Sequence, residues 1–169
     1  MRTYYKIGPQ LYDDQFWWKT DDIEFWKSTL DKNHSILELA CGTGRIAIPL
    51  IKEGFNYCGI DISLEYVSHA NKKLRALTDK QLILPGDMRT FKHHIEYDSI
   101  FIGFNSFLHL LDERQAVQCL SNIKEHLHKT SIIYIDMFVP HPLFLFRPRN
   151  HKVHIMDFYD SNIKDDVYI

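Results

Sequence analysis

From Ser35 onward the chain alternates short apolar runs with stretches in which apolar residues recur every three or four positions. The runs open at Ser35, at Asn56, at Gln81, at Ser99 and at Ser131, and each reads as a buried strand. Between them, Ile46, Leu50 and Ile51 form one helical stripe, Val67, Ala70, Leu74 and Leu77 a second, and Ala116, Cys119, Leu120, Ile123 and Leu127 a third. Predicted bounds are a first helix to Lys52 with Gly54 beyond its end, a second over Leu64 to Leu77, and a third from an Asp112 cap through His128. Pro49 inside the first predicts a kink or an early stop. The predicted strands end at Ile60, Leu84, Phe104 and Met137, and the last, Ser131 to Met137, is apolar on both faces up to Asp136. Such a run belongs inside a parallel sheet.

The first strand leads into Gly42-Thr43-Gly44, and two glycines one residue apart allow a sharp bend that a ligand can touch. The helix start beyond it offers free N–H groups to a carboxylate or phosphate. By spacing alone, Gly42, Gly44 and Ala47 satisfy the dinucleotide fingerprint, with Asp61 where a ribose carboxylate belongs, so a nicotinamide cofactor stays open at this level.

Further motifs change that choice. Glu38-Leu-Ala-Cys-Gly-Thr-Gly resembles motif I of the class I S-adenosylmethionine-dependent methyltransferases. Tyr57-Cys-Gly-Ile-Asp61-Ile-Ser, Pro85-Gly-Asp87-Met88-Arg and Tyr97-Asp-Ser-Ile-Phe-Ile-Gly-Phe-Asn105-Ser resemble the second, third and fourth motifs, in the family's order. The resemblance covers Ser35 to about Pro140. It implies an α/β, Rossmann-like, doubly wound and mainly parallel sheet of order 3-2-1-4-5 with helices on both faces, and S-adenosylmethionine as cofactor with S-adenosylhomocysteine as product.

It also implies roles. Glu38, Ala40, Gly42, Gly44, Asp61, Ile62, Asp87, Met88 and Phe104 hold the donor. Asp61 takes the ribose hydroxyls, Asp87 the adenine amine, Met88 the ring, and the carbonyl around Phe104 or Asn105 the methionyl amine. Tyr12, Asn105 and His109 face the methyl acceptor, with His109 taking its proton, since imidazole titrates near neutrality. The plainer alternatives are a turn aspartate at Asp87 and a pocket-wall histidine at His109.

Residues 1–34 are rich in aromatics, Tyr4, Tyr5, Tyr12, Phe16, Trp17, Trp18, Phe25 and Trp26 among them. Asp21 and Glu24 resemble a capping pair, with Ile23, Trp26 and Leu30 on one helix face behind it. The segment reads as a helical lid, in which an aromatic face at Tyr12 or Trp17 would stabilise a sulfonium by about 0.5 to 2 kcal/mol. Pure packing is the competing role for each ring.

At the other end, Pro140, Pro142 and Pro148 break regular structure, and a strand-like pattern returns at Val153, Ile155, Phe158 and Tyr159. The chain thus divides into the lid, a cofactor-binding core over 35–140, and a proline-rich loop with a partial strand over 141–169. The family's last antiparallel strands are incomplete, which leaves the fifth strand an open edge. Truncation of a longer enzyme, a homodimer covering that edge, or a fold-back of residues 153–169 each accounts for it, truncation being favoured.

Bulk properties narrow the partners. A net charge of −2 over 169 residues provides no basic face for nucleic acid. No apolar run approaches the roughly 20 residues of a membrane helix, and the N-terminus is not a signal peptide. Cys41, Cys58 and Cys119 form no C-x-x-C and read as reduced thiols of a cytoplasmic protein. His93 and His94 read as exposed, Lys72, Lys73 and Arg75 as a solvated face, and His126 and His128 cannot share a helix face, so no metal site is expected. The expected activity is methyl transfer to an N, O or C nucleophile of a small molecule. A catalytically incomplete binding or regulatory module and an NAD-dependent oxidoreductase are the alternatives.

Overall fold

The computed structural model describes residues 7–140, 142–146, 148, 150, 154 and 156–168. Five strands, β1 (Ser35–Leu39), β2 (Asn56–Asp61), β3 (Ile83–Pro85), β4 (Tyr97–Ile102) and β5 (Leu127–Ile135), form one parallel sheet of order β3-β2-β1-β4-β5. The order reverses between β1 and β4, and ligands of such sheets collect outside the strand ends at that crossing point.

Alternate residues of each strand serve opposite faces. On one face Ile36, Tyr57, Ile83 and Phe101 pack with α2 (Asp21–Thr29), α3 (Ala47–Lys52) and α4 (Leu64–Leu74) through Ile23, Trp26, Ala47, Leu50, Val67, Ala70 and Leu74. On the other, Leu37, Leu39, Ile60, Ile100 and Ile102 pack with Cys119 and Ile123 of α5 (Glu113–Lys124). The sheet is therefore covered by helices on both faces.

Several expected boundaries move. Pro49 neither kinks nor stops α3, because that helix begins only at Ala47 and Pro49 falls in its first turn, where a missing N–H costs little. Helix α4 ends at Leu74, and Leu77 stands in the following turn, 40% exposed. Helix α5 stops at Lys124 with Leu120 exposed, and β5 starts at Leu127, so His128 lies on a strand. Thr20 rather than Asp21 takes the N-cap position of α2, with no side-chain cap bond.

Ahead of α2 lies α1 (Pro9–Gln15), the first helix of the lid. Ile23, Trp26 and Leu30 are buried as the periodicity predicts, but Trp17, Trp18 and Phe25 are exposed. Trp17, at 71% exposure, is thereby removed as a cation-binding face. Tyr4 and Tyr5 lie outside the described residues. His93 is half-buried, bonding through Nδ1 with the Tyr97 hydroxyl at 2.7 Å, whereas His94 is exposed. His126 is buried against Phe91, ring on ring, with its Nδ1 at 2.9 Å from the Asn122 carbonyl.

After the short helix α6 (Pro142–Leu145), two strands form where one partial strand is expected: β6 (Asp157–Asp160) and β7 (Asp165–Tyr168), an antiparallel hairpin. Val153 and Ile155 lie outside the described residues. The hairpin does not fold back on β5 but docks on α1, where the Ser161 backbone N–H and hydroxyl donate to Asp14 Oδ2 at 2.8 and 2.5 Å. Among the described residues the outer edge of β5 stays open, with Ile132 and Ile133 exposed.

Candidate functional site

At the C-terminal end of β1 the backbone turns through three left-handed residues, Ala40 at φ 58°, Gly42 at 59° and Gly44 at 79°. The two glycines do different work. A Cβ on Gly42 would meet nothing nearer than the Tyr66 ring at 3.9 Å, whereas one on Gly44 would press on Ala70 and Ile83 at 3.3 and 3.4 Å. Gly42 borders open space, and Gly44 lets the bend pack on α4 and β3.

Asp61 stands behind the bend. Its Oδ2 accepts from the Gly42 N–H and its Oδ1 from the Ser63 N–H, both at 2.8 Å, and the side chain is fully buried. Burial pushes its carboxyl up from the ordinary value, against the two amide donors. In this arrangement Asp61 braces the backbone that a ligand would touch.

In front of the bend lies a cavity of about 580 Å³, bordered by Ala40, Gly42, Tyr12, Phe16, Tyr66, Phe104, Asn105 and His109. A narrower slot adjoins it and shares Ala40 and His109, its other walls being Ile62, Gly86, Asp87, Met88, Arg89, Leu110 and Gln115. Of the sequence-predicted residues, the two spaces bring together Tyr12, Ala40, Gly42, Ile62, Asp87, Met88, Phe104, Asn105 and His109. Glu38, Gly44 and Asp61 line neither. Because β2 and β3 pair Asp61 with Pro85, the two acids leave adjacent strand ends.

Phe104 and Asn105, where β4 exits, are also left-handed, at φ 51° and 62°. Apart from Lys164 in the hairpin, the described non-glycine residues with positive φ are thus Ala40, Phe104 and Asn105, all on the cavity wall. Strain of this kind persists only where the surroundings hold it. Here Phe104 N–H donates to Asp136 Oδ2 at 2.9 Å, and Asn105 Oδ1 accepts from Phe138 N–H at 2.5 Å. Asn105 thereby spends its side-chain oxygen on β5's exit and opens the 3₁₀ turn Ser106–His109, which leaves His109 exposed at the rim.

The lid closes the cavity with rings. Tyr66, Tyr12, Phe16 and Phe104 follow one another at centroid distances of 5.5, 4.8 and 5.0 Å, and the Arg45 guanidinium lies 4.5 Å from the Phe104 ring. Burial pushes the Tyr12 phenol up to about 12, so at neutral pH its hydroxyl keeps its proton. Two polar anchors hold this lid. Asp13 accepts from the Thr43 hydroxyl at 2.6 Å and pairs with His69 at 2.8 Å and Lys73 at 2.6 Å. Asp22 takes both Arg45 nitrogens at 2.5 and 2.8 Å. Lys73 is therefore not part of a solvated face.

The sequence reading missed Asp13, Asp22, Arg45 and Arg89. Thr43 between the glycines and Arg45 after them are polar residues at a buried turn, which signals a partner without saying which. Glu38 is buried beside the bend, where it accepts from the Tyr57 hydroxyl at 2.6 Å, and burial, more than that bond opposes, pushes its carboxyl up to about 7. Among the described residues no group of three or more His, Cys, Asp or Glu side chains is placed to hold a metal ion, and no helix is long and apolar enough to cross a membrane.

Comparisons with known proteins bear on the family and the fold. The profile of the methyltransferase domain family matches residues 36–130. The dTDP-3-amino-3,4,6-trideoxy-alpha-D-glucopyranose N,N-dimethyltransferase of Streptomyces venezuelae is 26% identical over 117 residues, covering 69% of this chain and 48% of that protein. Rabbit (Oryctolagus cuniculus) glycine N-methyltransferase is 27% identical over 145 residues, covering 75% and 49%. The sugar N-methyltransferase KedS8 from a Streptoalloteichus species superposes with a TM-score of 0.66 at 19% identity, over 92% of this chain and 63% of that one, a likeness of fold. The chain spans about half the length of the curated relatives it matches.

Proposed function

The chain belongs to the methyltransferase domain family, and on that footing we propose that it moves a methyl group from S-adenosylmethionine to a nucleophile of a small molecule. The observation that carries the reading is the pair of spaces in front of the glycine bend that share Ala40 and His109, a roomy cavity walled by aromatics and a slot walled by Ile62, Asp87 and Met88. A nucleoside joined to an amino-acid tail has that bipartite shape. Gly42 leaves the wall at the bend open, so the residues present fit such a group.

In this reading Ala40 and Gly42 hold the amino-acid tail, and Ile62, Asp87 and Met88 hold the nucleoside. S-adenosylmethionine supplies an electrophilic methyl on a sulfonium. The protein's part is then orientation and exclusion of water. Asp61 keeps the bend in shape from behind. Tyr12 and Phe16 line the cavity with aromatic rings, which favour a positive charge there, while the Phe104 ring already carries the Arg45 guanidinium. His109, at the rim shared by both spaces, accepts the proton released by the nucleophile.

Relatives named for aminosugars and for glycine favour an amine as the nucleophile. Calorimetric titration of S-adenosylhomocysteine, with NADH as the control, tests the donor half. Saturable binding of the first alone is the expected result. A turnover assay over neutral amines, amino acids and phenols tests the acceptor half, and binding without turnover across that panel would favour a regulatory module instead.

A further inference from the structure

The proposed function gives His109 a proton to accept but does not say what holds it at the rim. The wall behind it is the pair Phe104 and Asn105, left-handed in succession at φ 51° and 62°. A side chain makes that conformation costly, and two such residues in a row persist only where something outside the pair holds them. Asn105 opens the turn Ser106–His109, so a change in the pair moves His109 with it.

The holder comes from the neighbouring strand. Where the β4–β5 ladder ends, the Asp136 N–H donates to the Ile102 carbonyl at 2.9 Å, and the Asp136 side chain reaches past the ladder, its Oδ2 accepting from the Phe104 N–H at 2.9 Å. Two residues on, the Phe138 N–H donates to Asn105 Oδ1. Cohesion of the two strands does not depend on these side-chain bonds, because β4 already pairs with β5 from Tyr97 to Ile102. What they add lies beyond the sheet, at two residues that belong to no strand or helix.

Asp136 does not face the ligand spaces. It lines neither the cavity nor the slot, and borders instead a separate hollow with Phe25, Trp26 and Tyr134.

We infer that Asp136 is a positioning residue for methyl transfer: by accepting from the Phe104 N–H it keeps the left-handed Phe104–Asn105 pair in place, and through that pair it sets His109 at the rim. The inference rests on the reading of the cavity as the acceptor site. A misplacement of about 1 Å costs up to about 100-fold in rate, so one bond outside the cavity is felt as turnover. Donor binding, which relies on Ala40, Gly42, Ile62, Asp87 and Met88, depends on it far less.

Four measurements on the 169-residue chain test this: single-turnover rates at saturating S-adenosylmethionine, S-adenosylhomocysteine titration, thermal melting, and amide exchange over residues 103–109. The acceptor is the amine, amino acid or phenol that wild type methylates fastest in the turnover panel. The variants are Asp136→Ala, Asp136→Asn, Asp136→Glu and Ile36→Val. Ile36→Val trims a buried side chain near the opposite end of β1 and controls for loss of stability alone. Asp136→Ala should lower the rate about 10- to 100-fold and speed exchange over residues 103–109 about tenfold, while S-adenosylhomocysteine affinity changes by less than about fivefold. Asp136→Asn keeps an acceptor oxygen and should stay within about threefold of the wild-type rate. Asp136→Glu keeps the charge but shifts the oxygen, and should lose at least about fivefold; it decides the matter if Asp136→Ala does not fold. The role of Asp136 is overturned, with methyl transfer left standing, if Asp136→Ala and Asp136→Glu slow the reaction no more than Ile36→Val does, or if their rates fall no further than their affinities. If wild type methylates nothing in the panel, the reading of the acceptor site fails and takes this inference with it.

Discussion

Thr43, inside the glycine bend, donates its hydroxyl hydrogen to Asp13 Oδ1 of the lid helix across 2.6 Å, and this contact couples the lid to the bend. Asp13 also holds His69 and Lys73 of α4 through its other oxygen. Three groups lose their common partner if it is removed. Asp13→Ala is expected to destabilise the chain by about 2 kcal/mol and to weaken S-adenosylhomocysteine about tenfold, with faster amide exchange across residues 9–15. Asp13→Asn, which keeps an acceptor for Thr43 but not the charge, should fall between. Exchange mass spectrometry and calorimetry read the two effects separately, and unchanged exchange in α1 would show that the anchor does not hold the lid.

The two glycines of the bend should part company under the same substitution. Gly42→Ala puts a methyl at left-handed φ in open space, so it should cost only about 1–2 kcal/mol of stability while filling the cavity wall that a ligand needs. Gly44→Ala adds pressure on Ala70 and Ile83 to the same backbone strain and should cost about 3 kcal/mol or more. Thermal melts and ligand titrations of the pair check this. The expected pattern is lost binding with near-normal melting for Gly42→Ala, and depressed melting for Gly44→Ala.

Glu38 makes stability depend on pH in a defined direction. Burial, partly opposed by the Tyr57 hydrogen bond, raises its carboxyl from 4.5 to about 7 in the folded chain. Between those values the folded state holds a proton that the unfolded state has released. Its contribution is therefore complete below the lower value and is lost as pH rises through the upper one, by about 3 kcal/mol in all. Asp98 acts in the opposite sense and elsewhere: bonds from Ser35 lower it to about 2, so its contribution is lost only in strong acid. Glu38→Gln keeps an acceptor for Tyr57 and does not titrate. Its melting temperature should exceed that of wild type above about pH 8 and not below about pH 5, and parallel curves across that range would refute the assignment.

How far the sequence reveals the molecule depends on whether a feature is local. Strands β1, β2 and β4 are legible because their residues are apolar on both faces and end at sharp turns, so run length and punctuation agree. The start of β5 is not, since only Leu127 pairs with Tyr97 before the register shifts, and the polar His128, Lys129 and Thr130 that follow it read equally well as a helix end. Site residues on the strand exits follow from motif order. The anchors do not. Asp13 and Lys73 are 60 residues apart, and nothing near either reveals the other. The hairpin's seat on Asp14 rather than on the β5 edge is equally non-local, because an apolar edge predicts that something could cover it without naming what does.

His109 offers the sharpest test of chemistry as distinct from binding. The 3₁₀ turn Ser106–His109, launched from the left-handed Asn105, sets its ring at the rim common to the slot and the cavity. A group there can reach a nucleophile without being needed to hold the nucleoside. His109→Gln, similar in size and unable to take a proton, should lower turnover about 100-fold while S-adenosylhomocysteine affinity stays within about threefold. Trp17→Ala, at a side chain that is 71% exposed and does not line the cavity, should change neither. If the nucleophile instead passes its proton to water, His109→Gln turns over at nearly the wild-type rate and its pH profile keeps the wild-type shape. The two outcomes separate on single-turnover rates of wild type and His109→Gln measured side by side across a range of pH.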